Sequence, residues 1–131
     1  MKALLFPLAL LATPLVAQPS PSPRPLDPGL QTAVRCAALF SVVAGQQARQ
    51  ASDVADWPPL AERGREFFVR IAAEVMDRAG LDRSGIQALM QAEANELQRT
   101  DTAVTFAIRA GGIKTQCLAL LDATVPPVIG R

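Results

Sequence analysis

The stretch PGLQTAVRCAALFSVVAGQQARQ, residues 28–50, decides the fold because it carries one uninterrupted helical pattern. Spacings of four and three residues are typical of a helix face that packs into a bundle. They connect six mostly small or apolar residues: Ala33, Ala37, Phe40, Ala44, Gln47 and Ala51. Asp27 is a favourable N-cap, and Pro28 occupies the first helical position, where proline is tolerated. We therefore predict a first helix from about Pro28 to Gln50.

Three further helices are predicted from the same periodicity and from the positions of the prolines. All eleven prolines lie outside the predicted helix interiors, where each would cost about 3 kcal/mol. The predicted bounds of the second, third and fourth helices are Pro58-Pro59 to Ala79, Asp82 to Arg99, and Asp101 or Thr102 to Asp122.

Four amphipathic helices with short loops predict an all-α fold, an antiparallel up-down-up-down four-helix bundle. Gly80 is expected to stop the second helix in the left-handed conformation, and Asp82 to cap the third. The pair Gly111-Gly112 leaves two alternatives for the fourth helix. It is either continuous or kinked at the glycines, and a kink would make the fold more irregular.

The only two cysteines, Cys36 and Cys117, are expected to form one disulfide between the first and fourth helices. In an antiparallel bundle these two helices are neighbours, and the start of one lies beside the end of the other. Both cysteines then lie at similar heights, on or beside the inner faces. The alternative is a redox-active pair, which usually needs a Cys-x-x-Cys spacing or an activating neighbour.

The N-terminus is typical of a secretory signal. Lys2 supplies a positive charge, residues 3–16 form an apolar run, and Ala17 offers a small residue at a cleavage point. The run is shorter than the roughly 20 residues that a membrane span requires. We predict a cleaved signal peptide at residues 1–17, with an uncleaved anchor as the alternative. A Pro/Ser-rich linker at 18–27, a helical domain at 28–122 and a flexible tail at 123–131 follow.

The signal-like N-terminus predicts a periplasmic or secreted protein with no stable membrane anchor once the signal is removed.

Charge and composition exclude several functions. Without Lys2 the mature chain carries 12 Lys and Arg against 12 Asp and Glu, so no basic surplus favours nucleic acid. The chain has no histidine, which excludes Ser-His-Asp and Cys-His catalysis and imidazole ligation. We therefore predict a non-enzymatic protein with no catalytic residues, no metal site and no cofactor.

Glu93 is the least expected residue, because it falls within the apolar face of the third helix. A buried carboxylate must find a partner or hold its proton, and Arg35 and Arg109 are candidate partners. The residue is interpreted either as part of a binding site or switch, or as a structural contact at the edge of the helix seam.

A second stripe of small and apolar residues runs along the fourth helix, away from its inner face. It predicts a surface for a protein partner or for a second copy of the chain, unless a kink turns part of it into the core. Its residues are Val104, Ile108, Gly111, Thr115 and Leu118.

The combination of an export signal, helices and the pair Cys36 and Cys117 resembles small disulfide-bonded helical proteins of the bacterial periplasm. These include acid-stress chaperones that expose apolar surface at low pH, although their cysteines are closer together in sequence. The resemblance implies no functional residue. We expect an interaction or chaperone-like role in the cell envelope. The alternative is a small-ligand or metal carrier that uses the bundle interior near Glu93.

Overall fold

The computed structural model describes residues 22–99 and 103–128, and for residues 103–109 it describes the backbone alone. This part of the chain is all-helical, which confirms the predicted fold class. A short 3₁₀ turn, Ser52–Val54, separates the first two of four α-helices. The helices are α1 (Pro28–Ala48), α2 (Arg63–Ala79), α3 (Arg83–Gln98) and α4 (Ala103–Thr124).

Helix α1 is the central element of the bundle. Its buried residues cover most of the helix surface but leave positions such as Gln31, Arg35 and Ser41 exposed, so its neighbours enclose the helix on most sides. Helices α2 and α3 each pack extensively against α1 and touch each other less. Helical periodicity predicted a single inner face on α1, and this face is narrower than the buried surface of the helix. The buried residues of α1 are Leu30, Ala33, Val34, Cys36, Ala37, Ala38, Leu39, Phe40, Val42 and Val43.

Helix α2 begins at Arg63, several residues after the predicted start at Pro58-Pro59. The Gln47 side chain of α1 explains the delay. Its Oε1 accepts a hydrogen bond from the Leu60 backbone N–H at 3.1 Å, and its Nε2 donates to the Pro58 carbonyl at 2.8 Å. These bonds hold the proline segment against α1, and a residue that precedes a proline is disfavoured in the helical conformation.

The connection between α2 and α3 follows the prediction closely. Gly80 has φ +70°, and its N–H donates to the Met76 carbonyl at 3.0 Å. The Asp82 carboxylate accepts from the Gly85 N–H at 2.8 Å and so caps α3. The left-handed stop and the N-cap are therefore both confirmed.

Helix α4 is continuous across Gly111-Gly112, so the helix does not break at the glycines. A Cβ added at either glycine would meet no atom within 4 Å. The helix ends at Thr124, two residues later than predicted, and Val125 beyond it is buried. Arg63 explains this extension, because its Nη2 donates to the Val125 carbonyl at 2.7 Å and pairs with Asp122 at 2.6 Å.

The disulfide between Cys36 of α1 and Cys117 of α4 is confirmed, with the two Cα atoms 5.3 Å apart and both side chains buried. The chain just before α1 also contacts the domain. The Arg24 N–H donates to the Ala79 carbonyl at 2.9 Å, and Leu26 packs against the core.

No helix in residues 22–99 and 103–128 combines the length and hydropathy needed to cross a bilayer. The predicted signal peptide lies outside the described residues.

Candidate binding sites

A cleft of about 530 Å³ opens between α1, α3 and α4, beside the disulfide. We call it the Arg35 cleft. Its volume lies within the range of small-molecule sites in proteins. Its rim holds polar residues from α1 and α4, and its apolar wall comes from four elements of the fold. It is lined by Pro25, Leu26, Pro28, Gln31, Thr32, Val34, Arg35, Cys36, Leu89, Glu93, Ile113, Gln116 and Cys117.

Glu93 lies in this cleft and is not buried, since its side chain is 28% exposed. Its Oε2 lies 3.6 Å from Nε of Arg35, one of the two arginines that the sequence proposed as partners. The side chain of the other, Arg109, is outside the described part of the structure. Glu93 reaches solvent because its side chain lines the open cleft between α1, α3 and α4. Glu93 therefore forms an ion pair with Arg35 at the solvent-exposed edge of the helix seam.

The neighbouring polar side chains of the cleft are engaged by backbone carbonyls. Gln31 Nε2 donates to the Leu26 carbonyl at 2.9 Å, and Thr32 Oγ1 donates to the Pro28 carbonyl at 3.0 Å. Beyond the ion pair, a second depression of about 230 Å³ is lined by Arg35, Glu93 and residues of α3 and α4. The Arg35–Glu93 pair thus stands between two parts of one indentation.

A second site, the α2–α3 groove, lies over the part of α1 that includes the exposed Ser41. It consists of two adjoining depressions of about 280 and 530 Å³ that share Ser41 and Phe68. Its floor is made of small residues of α1, and its walls are largely apolar. We define it by Ala38, Ser41 and Ala44 on the floor, Phe68 on the α2 wall, and Met90 and Ala94 on the α3 wall.

Two large apolar side chains of α2 are exposed. Val69 is 60% exposed and Met76 is 38% exposed. Val69 follows Arg65, a groove-lining residue, by four positions, and Met76 follows the half-buried Ala72 by four positions. Residues four apart lie on the same helix face, so Val69 lies on the face of α2 that carries Arg65, and Met76 on the face that carries Ala72. Sequence reasoning missed this site, although Val69 interrupting a charged helix face was the available signal.

The second stripe of α4 is only partly visible. Gly111 and Thr115 are exposed, and Leu118 is partly buried against the core. The side chains of Val104 and Ile108 lie outside the described part of the structure. The partner surface predicted there stays a prediction.

Two N-cap carboxylates carry the clearest electrostatic signature. The Leu30 N–H, and then Arg78, lower the pKa of Asp27, while the Gly85 N–H and the Ser84 hydroxyl lower that of Asp82. At the other end of the bundle, a hydrogen bond from Lys114 lowers the pKa of Asp56. Lys114 Nζ also lies 5.0 Å from the centre of the buried Trp57 ring.

Among the described residues no group of three potential metal ligands comes together. Comparisons with protein-family models, with curated proteins and with solved structures found no match to this chain. The Arg35 cleft and the α2–α3 groove differ in chemical character. One is apolar with a small-residue floor, and the other contains an ion pair.

Proposed function

We propose that the protein is an exported, non-enzymatic interaction protein with a chaperone-like role in the cell envelope. In this proposal it binds an apolar helical segment of a client polypeptide in the α2–α3 groove. The observation that carries the proposal is the groove between α2 and α3, with the exposed Ser41 on its α1 floor, together with the exposed Val69 and Met76 on α2.

The chemistry of the groove favours a helix as its occupant. Small residues at Ala38, Ser41 and Ala44 leave room for another helix backbone to approach α1 closely. Phe68 and Met90 supply apolar walls, and methionine adapts its shape to different partners. An amphipathic helix that lays its apolar face into such a groove is a recurrent mode of peptide recognition.

The cell envelope is the proposed place of action. The signal-like residues 1–17 support export. The buried disulfide supports an oxidising compartment, because disulfides are rare where thiols are kept reduced. Fractionation of the natively expressed protein, with titration of its thiols, tests this placement. Retention in the cytosol with two reactive thiols would contradict it.

The interaction is tested by filling the groove. Ser41→Met places a larger side chain on the exposed floor, and Thr115→Met makes the matched change on the second stripe of α4. Each purified variant is assayed for suppression of the aggregation of heat-denatured citrate synthase, with circular dichroism as the check on folding. We expect the protein to suppress aggregation, Ser41→Met to reduce the effect severalfold, and Thr115→Met to leave it unchanged.

Other outcomes point elsewhere. If the unsubstituted protein leaves aggregation unchanged, the chaperone-like role is wrong. If Thr115→Met reduces suppression and Ser41→Met does not, the partner surface is the second stripe of α4 and not the groove.

A second candidate function is the carriage of a small molecule. The observation that favours it is the Arg35 cleft, which places Glu93 in an indentation of suitable volume. Thermal-shift measurements against a metabolite and metal panel test it, and a uniformly flat panel would count against it.

A further inference from the structure

The Arg35 cleft combines apolar walls with one ion pair that is poorly formed. Leu89, Ile113 and Val34 contribute to the apolar surface, while Arg35 and Glu93 contribute the charges. The other polar side chains of α1 at the rim, Gln31 and Thr32, donate to backbone carbonyls of the protein. Among the described side chains, Arg35 and Glu93 are therefore the charged groups that line this cleft.

The geometry of the pair leaves both groups able to exchange partners. Charge-assisted N–H···O bonds are usually about 2.7–2.9 Å long, whereas the Arg35 nitrogen and the Glu93 oxygen are 3.6 Å apart. The Arg35 side chain is 57% exposed, and exposed ion pairs contribute only about 0–1 kcal/mol. Separating the two groups therefore costs little.

Charge balance then selects the ligand class. An anion that binds Arg35 leaves the Glu93 carboxylate without a counter-charge. A cation that binds Glu93 likewise leaves the Arg35 guanidinium without a counter-charge. A zwitterion replaces both halves of the pair at once. Glu96, the nearby carboxylate, has Arg99 as a partner at 2.7 Å, so it does not upset this balance.

We propose that the Arg35 cleft binds a small zwitterion with an apolar side chain, an apolar free amino acid. Its carboxylate pairs with Arg35, its ammonium pairs with Glu93, and its side chain contacts Leu89 and Ile113. This assignment rests on the second candidate function, carriage of a small molecule, and names the ligand of that site.

The test measures binding of three related probes to the oxidised protein by calorimetry, with backbone NMR shifts to locate the site. L-leucine carries both charges, N-acetyl-L-leucine lacks the ammonium, and L-leucinamide lacks the carboxylate. We expect L-leucine to bind with a dissociation constant about tenfold below those of either blocked derivative, because each derivative leaves one charged partner unpaired. The shifts should centre on Arg35, Leu89 and Glu93.

Two variants and one control separate the ion pair from a general effect of charge. Arg35→Gln and Glu93→Gln should each weaken L-leucine binding by about tenfold, since each removes one of the two counter-charges. Arg70→Gln removes a comparably exposed ion pair with Glu66 on α2 and should leave binding unchanged. Circular dichroism of the variants checks that each remains folded.

The failures are distinguishable. Equal binding of the three probes would overturn the zwitterion assignment and leave the cleft as a small-molecule site. No binding of any probe, with flat shifts around the cleft, would overturn the assignment. A thermal-shift panel that is also flat would in addition overturn the carrier function.

Discussion

Breaking the link between Cys36 and Cys117 should remove a large share of the stability of this protein. The cysteines are 81 positions apart in sequence, and the bridge therefore closes most of the domain into one loop. The chain-entropy model gives such a loop about 4.5 kcal/mol of stabilisation at 25 °C. Small domains are usually stable by about 5–15 kcal/mol in total, so losing the link should remove between about a third and nearly all of the stability.

The measurement compares urea unfolding of the oxidised protein with that of the same protein unfolded, reduced and refolded under reductant. Reduction keeps both sulfur atoms in the core, which isolates the covalent link from the packing of the side chains. Because both cysteines are buried, the reductant has to act on the unfolded chain. With a urea slope of about 2 kcal/mol/M, the midpoint should fall by about 2 M.

The control is Cys36→Ala/Cys117→Ala, whose urea midpoint should be the same with and without reductant. Any further loss in this variant, relative to the reduced protein, measures the packing of the two sulfur atoms. A difference of less than about 1 kcal/mol between the oxidised and reduced proteins would refute the entropic argument. It would mean that the helices already hold the two ends of the domain together.

Two further predictions concern glycines and the capping carboxylates. Gly80→Ala should lower the unfolding free energy by about 1–2 kcal/mol, because Gly80 has a positive φ. Gly111→Ala should raise it by up to about 1 kcal/mol, because the new methyl group meets open space within a helix. Urea unfolding of both variants, compared with the unsubstituted protein, tests these changes. Changes of the same sign in the two variants would contradict the argument. Folding lowers the pKa values of Asp27 and Asp82 from 3.8. The two ionised carboxylates therefore add to the free energy of unfolding above that pH. This contribution should be lost as the pH falls through 3.8 and on past the lowered folded values. The double variant Asp27→Asn/Asp82→Asn keeps both caps but removes the two titrating carboxylates. Its urea midpoint should fall less steeply between pH 5 and pH 2 than that of the unsubstituted protein. An equal dependence of the midpoint on pH in the two proteins would contradict this assignment.

The candidate sites show how far sequence reasoning reached. Glu93 and Arg35 were connected correctly, because helical periodicity identified the carboxylate as out of place and few cations were available to it. Its exposure was not predictable, since that depends on how far α3 covers α1. The α2–α3 groove was missed for the same reason. The sequence does not distinguish a small residue that a neighbouring helix covers, such as Ala38, from one that stays exposed, such as Ser41.

The amino-acid sequence by itself determined the features that depend on neighbours along the chain. These are the helix caps at Asp27 and Asp82, the left-handed stop at Gly80 and the cysteine pair. Two cysteines allow a single pairing within the chain. Only the tertiary structure decided that most of the α1 surface is buried, that Gln47 delays the start of α2, and that Ser41 of α1 remains exposed. The physical reason is that capping and backbone conformation act over a few residues, whereas burial depends on how the helices are placed around one another.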